Sequence, residues 1–352
     1  MRVYLLLCVA IWILLCQCGT AEPASGTVDR AGDIERHQFS SRHMGTTFRI
    51  VLYAPDADRA AVAADSAFQR VEELNHIFSD YETNSEVNQL SALAGSGEMM
   101  RVSEPLYDVL KRAKRVSEQT DGAFDITAGA LVRLWREIRR ADEPQLPGRQ
   151  TLNQALESVD YRYLILDEHQ PLAGIKKPGV ILDLGGIAKG YAAEEMLSIL
   201  QDYGFTSALI DAGGDMVMGE PPPGREGWGV LVSVYASSGD AEPFLLLLDQ
   251  SALSTSGDLY QYVEIDGVRY SHIINPATGM ALTEQRMVTV TGVDGTLVDA
   301  YSTALSVMPV DEAMAFIEDK PDYSAFIQVR EGDRVSIYES ECFGRIPRQA
   351  LE

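Results

Sequence analysis

The chain has 352 residues, 46% of them hydrophobic, and carries a formal charge of −23 at pH 7. That length and composition exclude a disordered chain and allow a large core in one elaborated domain or two subdomains. The surplus of acid argues against nucleic acid and against an anionic membrane face as partners. It also means that any phosphate ligand needs a local cation, and a divalent metal ion is the economical source.

Met1 and Arg2 precede an apolar run, Val3 to Leu15, too short for a comfortable membrane span and suited to a signal-peptide core, so export is predicted. Leu15-Cys16-Gln17-Cys18 resembles a bacterial lipoprotein cleavage site. It predicts a lipid anchor at Cys18 on the periplasmic face of the inner membrane, with Cys16 as the fallback and a soluble periplasmic protein as the alternative. The expected division is a signal peptide over 1–18, a flexible tether over 19–36 that reaches on the order of 20 Å, and one domain over 37–345. Cys342 is then the one cysteine left in the body, so no internal disulfide is expected and Cys342 reads as structural. The five histidines show no zinc spacing.

A strand is predicted over Gln38 to Tyr53, enclosing His43-Met44-Gly45-Thr46-Thr47. Asp58 to Ile77 places Val62, Phe68, Val71 and Leu74 at helical spacing, the mark of an amphipathic helix. Tyr81 follows in Phe78-Ser79-Asp80-Tyr81, where it either stacks on a ring or plugs a helix end. Ser103 caps a helix carrying Leu106, Val109, Leu110 and Ala113. Next comes Thr120-Asp121-Gly122-Ala123-Phe124-Asp125-Ile126-Thr127, in which Asp125 either accepts hydrogen bonds from a nucleotide or caps the following helix. Arg140 to Arg149 is a polar insert. Thr151 and Gln154 form a capping box, and Tyr161 to Asp167 alternates as a strand.

The stretch from Val180 to Asp215 is the most informative. Val180 to Leu184 suits a buried strand, Gly185-Gly186 a tight turn, and Ile187 to Leu200 a helix ended by Gly204. Such a turn aims free N–H groups and the positive end of a helix dipole at one spot, where an anion fits. Lys189 lies in the first helical turn, and Asp211-Ala212-Gly213-Gly214-Asp215 closes the next strand in the same manner. Further on, Ser251 to Asp258 is dense in hydroxyls that can line a phosphate. Strands at Trp228 to Tyr235 and Phe244 to Leu248 precede it, and a hairpin turns at Asp266-Gly267. His272 stands at the end of that hairpin in Ser271-His272-Ile273-Ile274-Asn275-Pro276-Ala277-Thr278-Gly279. A strand over Met287 to Val293 leads to a helix over Leu297 to Met308, on which Asp299 and Thr303 share a face and can reach one ion.

Six of these segments, in this order, resemble the signatures of the ApbE family, the FAD:protein FMN transferases: Met44-Gly45-Thr46, the loop around Tyr81, Thr120 to Thr127, Leu182 to Asp215, Ser251 to Asp258, and Ser271 to Gly279 with Asp299 to Thr303 beyond. The resemblance spans about Met44 to Tyr338. It implies an α+β, T-fold-like architecture of two intertwined subdomains with the active site in the cleft between them. FAD would be bound through Met44, Tyr81, Ala123, Phe124, Asp125, Asp183, Lys189 and Ile274. Mg2+ would be held by the Gly186 carbonyl, Asp299, Thr303 and Ser302, which stands where some members have a second acid. The implied reaction moves the FMN part of FAD to a Thr or Ser hydroxyl of a flavoprotein subunit in a membrane redox complex and releases AMP, with His272 and Asp299 as catalytic residues. The alternatives are a periplasmic FAD pyrophosphatase and a non-catalytic flavin-binding lipoprotein.

Overall fold

A computed structural model describes residues 34–235, 242–257 and 261–350. The predicted signal segment, Cys16, Cys18, most of the tether and Asp258 lie outside them. Alternating side chains form β1 (Glu35–His43) and β2 (Thr46–Ala54) where one strand was expected. Met44 and Gly45 link them with φ of +47° and +75°, the pair of left-handed angles that makes a two-residue hairpin. A period-2 pattern that runs on through so short a turn conceals it. Asp56 caps α1 (Ala57–Phe78) through bonds from the N–H groups of Asp58 and Arg59. The face α1 buries is made of Ala60, Ala63, Ala64, Ala67, Val71 and Leu74, whereas Val62, predicted on it, is 55% exposed.

Next come α2 (Glu86–Ala92), β3 (Met100–Arg101) and α3 (Glu104–Gln119), the last capped by Ser103 as expected. Then follow α4 (Gly129–Arg140), α5 (Arg149–Leu156), a 3-10 turn at Tyr161–Tyr163, β4 (Leu164–Leu166) and β5 (Leu172–Ile175). The predicted capping box does not form, because α5 starts at Arg149 behind Gly148 and Thr151 is already inside it. Val180 to Leu184 is alternately buried, but among the described residues it forms a single β-bridge, Ile181 with Ala128, beside one further backbone bond from the Asp183 N–H to the Ile126 carbonyl. It lacks a full strand partner and is not a strand.

The rest of the chain supplies α6 (Ala188–Asp202), β6 (Ala208–Ala212), β7 (Met216–Met218), β8 (Trp228–Val232), β9 (Phe244–Leu248) and β10 (Ala252–Gly257). After these stand β11 (Tyr262–Ile265), β12 (Val268–Ser271), β13 (Gln285–Gly292), α7 (Gly295–Val307) and α8 (Val310–Glu318). The chain closes with β14 (Tyr323–Glu331), β15 (Arg334–Glu339), α9 (Glu341–Gly344) and β16 (Arg348–Ala350). Cys342, on α9, is exposed and free, not a core residue.

Eight strands form one sheet in the order β1-β2-β6-β7-β10-β13-β14-β15, and every neighbouring pair runs antiparallel. The fold is therefore α+β, with helices segregated against an antiparallel sheet. Helices α1, α6, α7 and α8 pack on one face. The small sheet β16-β9-β8 supplies Trp228, Val230 and Leu246 to a second core that includes Leu253 and Phe326 of the large sheet. A third core joins α4 to the β11-β12 hairpin: Trp135 stacks on Tyr270 at 5.4 Å and donates its indole N–H to the Gly279 carbonyl at 2.8 Å. These packings bring the start of α6, the middle of α7, β10 and the end of α4 around one region.

Candidate active site

The centre of that region is an ionic cluster. Lys189 Nζ, one residue into α6, lies 2.5 Å from Asp215 Oδ2 and 3.6 Å from Asp299 Oδ1. Asp299 Oδ2 accepts the Gly190 N–H at 3.1 Å. Two carboxylates thus share one ammonium. Burial and the Asp215 charge push the Asp299 carboxyl up to about 7, against the pull of Lys189. Burial alone would lower the Lys189 ammonium, but the two acids outweigh it and raise it. Gly190 is required here: a Cβ on it would stand 2.1 Å from the Gly295 carbonyl oxygen and 2.9 Å from the Asp299 Cβ. The close approach of α6 and α7 is what sets Asp299 beside Lys189.

A patch of hydroxyls adjoins the acids. Ser254 Oγ donates to Asp215 Oδ1 at 2.5 Å, and Ser302 Oγ donates to the Asp299 carbonyl at 2.8 Å. Ser254 and Ser302 lie 3.0 Å apart, Ser256 and Ser302 2.9 Å, and Ser256 and Thr303 3.4 Å. Each hydroxyl owns one proton. Ser254, Ser256, Ser302 and Thr303 therefore bring more lone pairs than protons to this patch. An all-oxygen cluster with surplus lone pairs and a buried carboxylate fits a hard divalent cation.

The Gly185-Gly186 turn lies against this cluster. A Cβ on Gly186 would meet Thr303 Oγ1 at 2.9 Å and the Phe124 ring at 3.3 Å. Asp183 Oδ1 accepts the Gly185 N–H at 2.8 Å, and Oδ2 stands 3.6 Å from Arg136. Burial and then the Asp80 charge raise the Asp183 carboxyl above its usual range. Arg136 also binds Asp80 at 2.7 Å and lies over the Tyr81 ring, 4.1 Å from its centroid. Tyr81 is 65% exposed, so it plugs no helix end and offers a free ring face.

Asp125 is committed within the fold. Its Oδ1 accepts the N–H and hydroxyl of Thr127, and its Oδ2 the Tyr161 N–H. It therefore braces the 120–127 loop, and α4 begins with no side-chain cap. Ala123 is half-buried and Phe124 buried in that loop. Met44 sits at the β1–β2 turn, whose Thr46 presses on Gly213 of the Asp211–Asp215 turn. Its left-handed φ of +47° is the angle that the two-residue hairpin requires. Ile274 is buried and bridges Ala281.

His272 extends the β11-β12 ladder by donating its backbone N–H to the Gln261 carbonyl at 3.0 Å. Burial, with the Arg139 and Lys189 charges, lowers the imidazole to about 4, so the ring is neutral at pH 7. Its Nδ1 is shielded and has no hydrogen-bond partner among the described residues. Surface depressions of about 610 Å³ beside Arg330 and about 390 Å³ beside Lys177 share no residue with the ionic cluster.

Sequence reasoning missed Arg136 and Arg139 on α4, and Asp80 beside Tyr81. The signal was present: Arg133, Arg136 and Arg140 recur at helical steps in a chain of charge −23. By itself such a basic helix face is indistinguishable from solvated surface.

An antiparallel α+β sheet carrying a glycine turn, a Lys–Asp–Asp cluster and a hydroxyl patch describes a protein built to hold charged oxygens. The family model of the ApbE family matches residues 44–327, and the chain belongs to that family. It is 29% identical over 340 residues to the FAD:protein FMN transferase of Vibrio cholerae serotype O1, covering 95% of this chain and 97% of that one. With the enzyme of that name from Escherichia coli K12 it shares 27% over 308 residues, 85% of this chain and 86% of the other. Among solved structures, the flavin transferase ApbE from Vibrio cholerae superposes with a TM-score of 0.80 at 27% identity, covering 89% of this chain and all of that one.

Proposed function

We propose that the protein is an FAD:protein FMN transferase that moves the FMN part of FAD to a Ser or Thr hydroxyl of an acceptor protein and releases AMP. The observation that carries the reading is Lys189 poised between Asp215 and Asp299 against the Gly185-Gly186 turn. A half-buried ammonium at the start of α6, where the helix dipole adds partial positive charge, suits a diphosphate, and the names of the relatives supply the substrate. Tyr81 would stack on a ring of FAD, and Met44, Ala123, Phe124, Asp125, Asp183 and Ile274 would shape the rest of its site.

Asp299, Thr303, the Gly186 carbonyl and Ser302 would hold Mg2+. When bound, the ion neutralises phosphoryl charge. Lys189 orients the phosphates, and His272, neutral at working pH, takes the acceptor's proton. The hydroxyl oxygen bonds to the FMN-side phosphorus as the bond to AMP breaks, and AMP leaves with the electron pair. The acceptor would be a subunit of a membrane redox complex. The enzyme would face it as an exported lipoprotein anchored at Cys18, with the catalytic domain over 37–345.

Purified protein, FAD, Mg2+ and acceptor domains bearing an exposed Thr test the reading. Flavin fluorescence that stays on the acceptor in a denaturing gel supports transfer. Free FMN and AMP with no labelled acceptor would show the pyrophosphatase, and tight FAD binding with neither product a carrier.

A further inference from the structure

Tyr81 stands on the short loop between α1 and α2, and its ring is largely exposed. A ring on a loop serves as a stacking platform only when the surrounding structure fixes it in advance. Here the backbone of the loop is tied down from two sides. Ser79 Oγ accepts the N–H groups of Tyr81 and Glu82, both at 3.3 Å, and Asn88 of α2 donates to the Ser79 and Glu82 carbonyls at 3.2 and 2.8 Å. From α4, Arg133 donates to the Asp80 carbonyl at 3.3 Å and to Asn88 Oδ1 at 3.0 Å.

The side chains are tied by Arg136, one turn further along α4. Its Nη1 donates to Asp80 Oδ2 at 2.7 Å, its Nη2 lies 3.6 Å from Asp183 Oδ2, and its guanidinium carbon lies 4.1 Å from the Tyr81 ring centroid. Arg140 reaches the same ring only at 6.0 Å. The side chains of Arg136, Asp80 and Asp183 are each 16% exposed or less, so solvent screens their pairing little. Burial and then the Asp80 charge raise the Asp183 carboxyl, and Arg136 pulls it back. Two acids and one aromatic face thus share one planar cation. Arginine suits the place better than lysine, because its flat guanidinium stacks on a ring while its edge donates to carboxylates.

Resting on the reading that Tyr81 stacks on a ring of FAD, we infer that Arg136 is the positioning residue of that stack. It covers one face of Tyr81, holds the ring against α4 and leaves the opposite face to the ligand. Asp80 and Asp183 in turn hold Arg136. Arg136 acts on FAD through Tyr81 and does not touch it.

Calorimetry of FAD binding to the full-length protein in the presence of Mg2+ tests this without any acceptor. Arg136→Lys keeps the charge beside Asp80 and Asp183 and removes the flat face. It should unfold near the wild-type temperature and raise the Kd for FAD about 10-fold, the scale of a desolvated cation–π contact. Arg136→Gln removes the charge as well, and should lower Tm and raise the Kd further. In a Tyr81→Ala background, where the Kd is already raised, Arg136→Lys should change it by less than about twofold, because the ring it acts through is gone.

An unchanged Kd in Arg136→Lys would show that Tyr81 keeps its place without the guanidinium face, and would overturn the inference. A loss that persists undiminished in the Tyr81→Ala background would make Arg136 a direct contact to FAD and overturn it as well. Tyr81→Ala binding FAD as tightly as wild type would remove the stack that Arg136 is said to position. Those three results leave the transferase reading standing. Wild-type protein that binds no FAD removes that reading, and the positioning role with it.

Discussion

Asp299 combines opposed effects in one side chain. Its carboxylate anchors Lys189 and accepts the Gly190 N–H, yet it is buried beside a second acid. Asp299→Ala strands a buried N–H, at about 1–3 kcal/mol, and at the same time relieves the repulsion from Asp215. Stability should therefore change little in thermal unfolding, while turnover at saturating FAD and Mg2+ falls at least about 100-fold. His272 leads to a pH prediction with a definite sign. Its folded-state value, about 4, lies below the ordinary 6.5, so between those limits the unfolded chain binds more protons and stability falls as pH drops. Above 6.5 the residue contributes no pH dependence. Urea midpoints measured at pH 7 and pH 5 should drop further in wild type than in His272→Asn, and equal drops would show that the ring is not buried as a neutral group.

Among the elements, the contact of α6 with α7 positions the site. Gly190 lets the Gly295 carbonyl approach to where a Cβ would stand only 2.1 Å away, and backbone cannot yield as a flexible side chain can. Gly190→Ala should force the helices apart, cost about 1–3 kcal/mol or more, and separate Asp299 from Lys189. The expected readout is a lowered Tm together with lost activity. Gly204→Ala is the control: it sits at the far end of α6 with φ +88° and nothing within 4 Å of a Cβ, so it should lower Tm through backbone strain and leave activity of the folded enzyme intact.

At the scale of the whole molecule, the catalytic reading rests on the unit that begins at Ile34. The anchoring proposal belongs at this scale, because it concerns the segment that precedes that unit. Mass spectrometry of the mature protein from the membrane fraction should find an acylated N-terminal Cys18. An unacylated terminus elsewhere would remove the anchor and leave the catalytic reading untouched.

Much of the molecule was legible from sequence because local chemistry decided it. Ser103 caps α3, Gly204 ends α6, Asp266-Gly267 turns a hairpin, and Asp299 and Thr303 fall on one helical face; each depends on a few neighbouring residues. The family signatures were legible for the same reason. The roles of Arg136 and Arg139 were not, since only the docking of α4 on the β12 hairpin brings them to Tyr81, Asp183 and His272. Val180 to Leu184 has the alternation of a strand, but strand status needs a partner that only the fold can provide or withhold. Asp125 could reach a nucleotide or cap a helix, and only the folded path of Tyr161 shows that its carboxylate also accepts a distant backbone N–H. The sequence by itself determined which residues can cap, turn, bury or carry charge, because those properties act within a turn or two. Tertiary structure alone decided which charges meet, because burial and separation, and hence the strength of every electrostatic term in the site, arise only when distant segments pack.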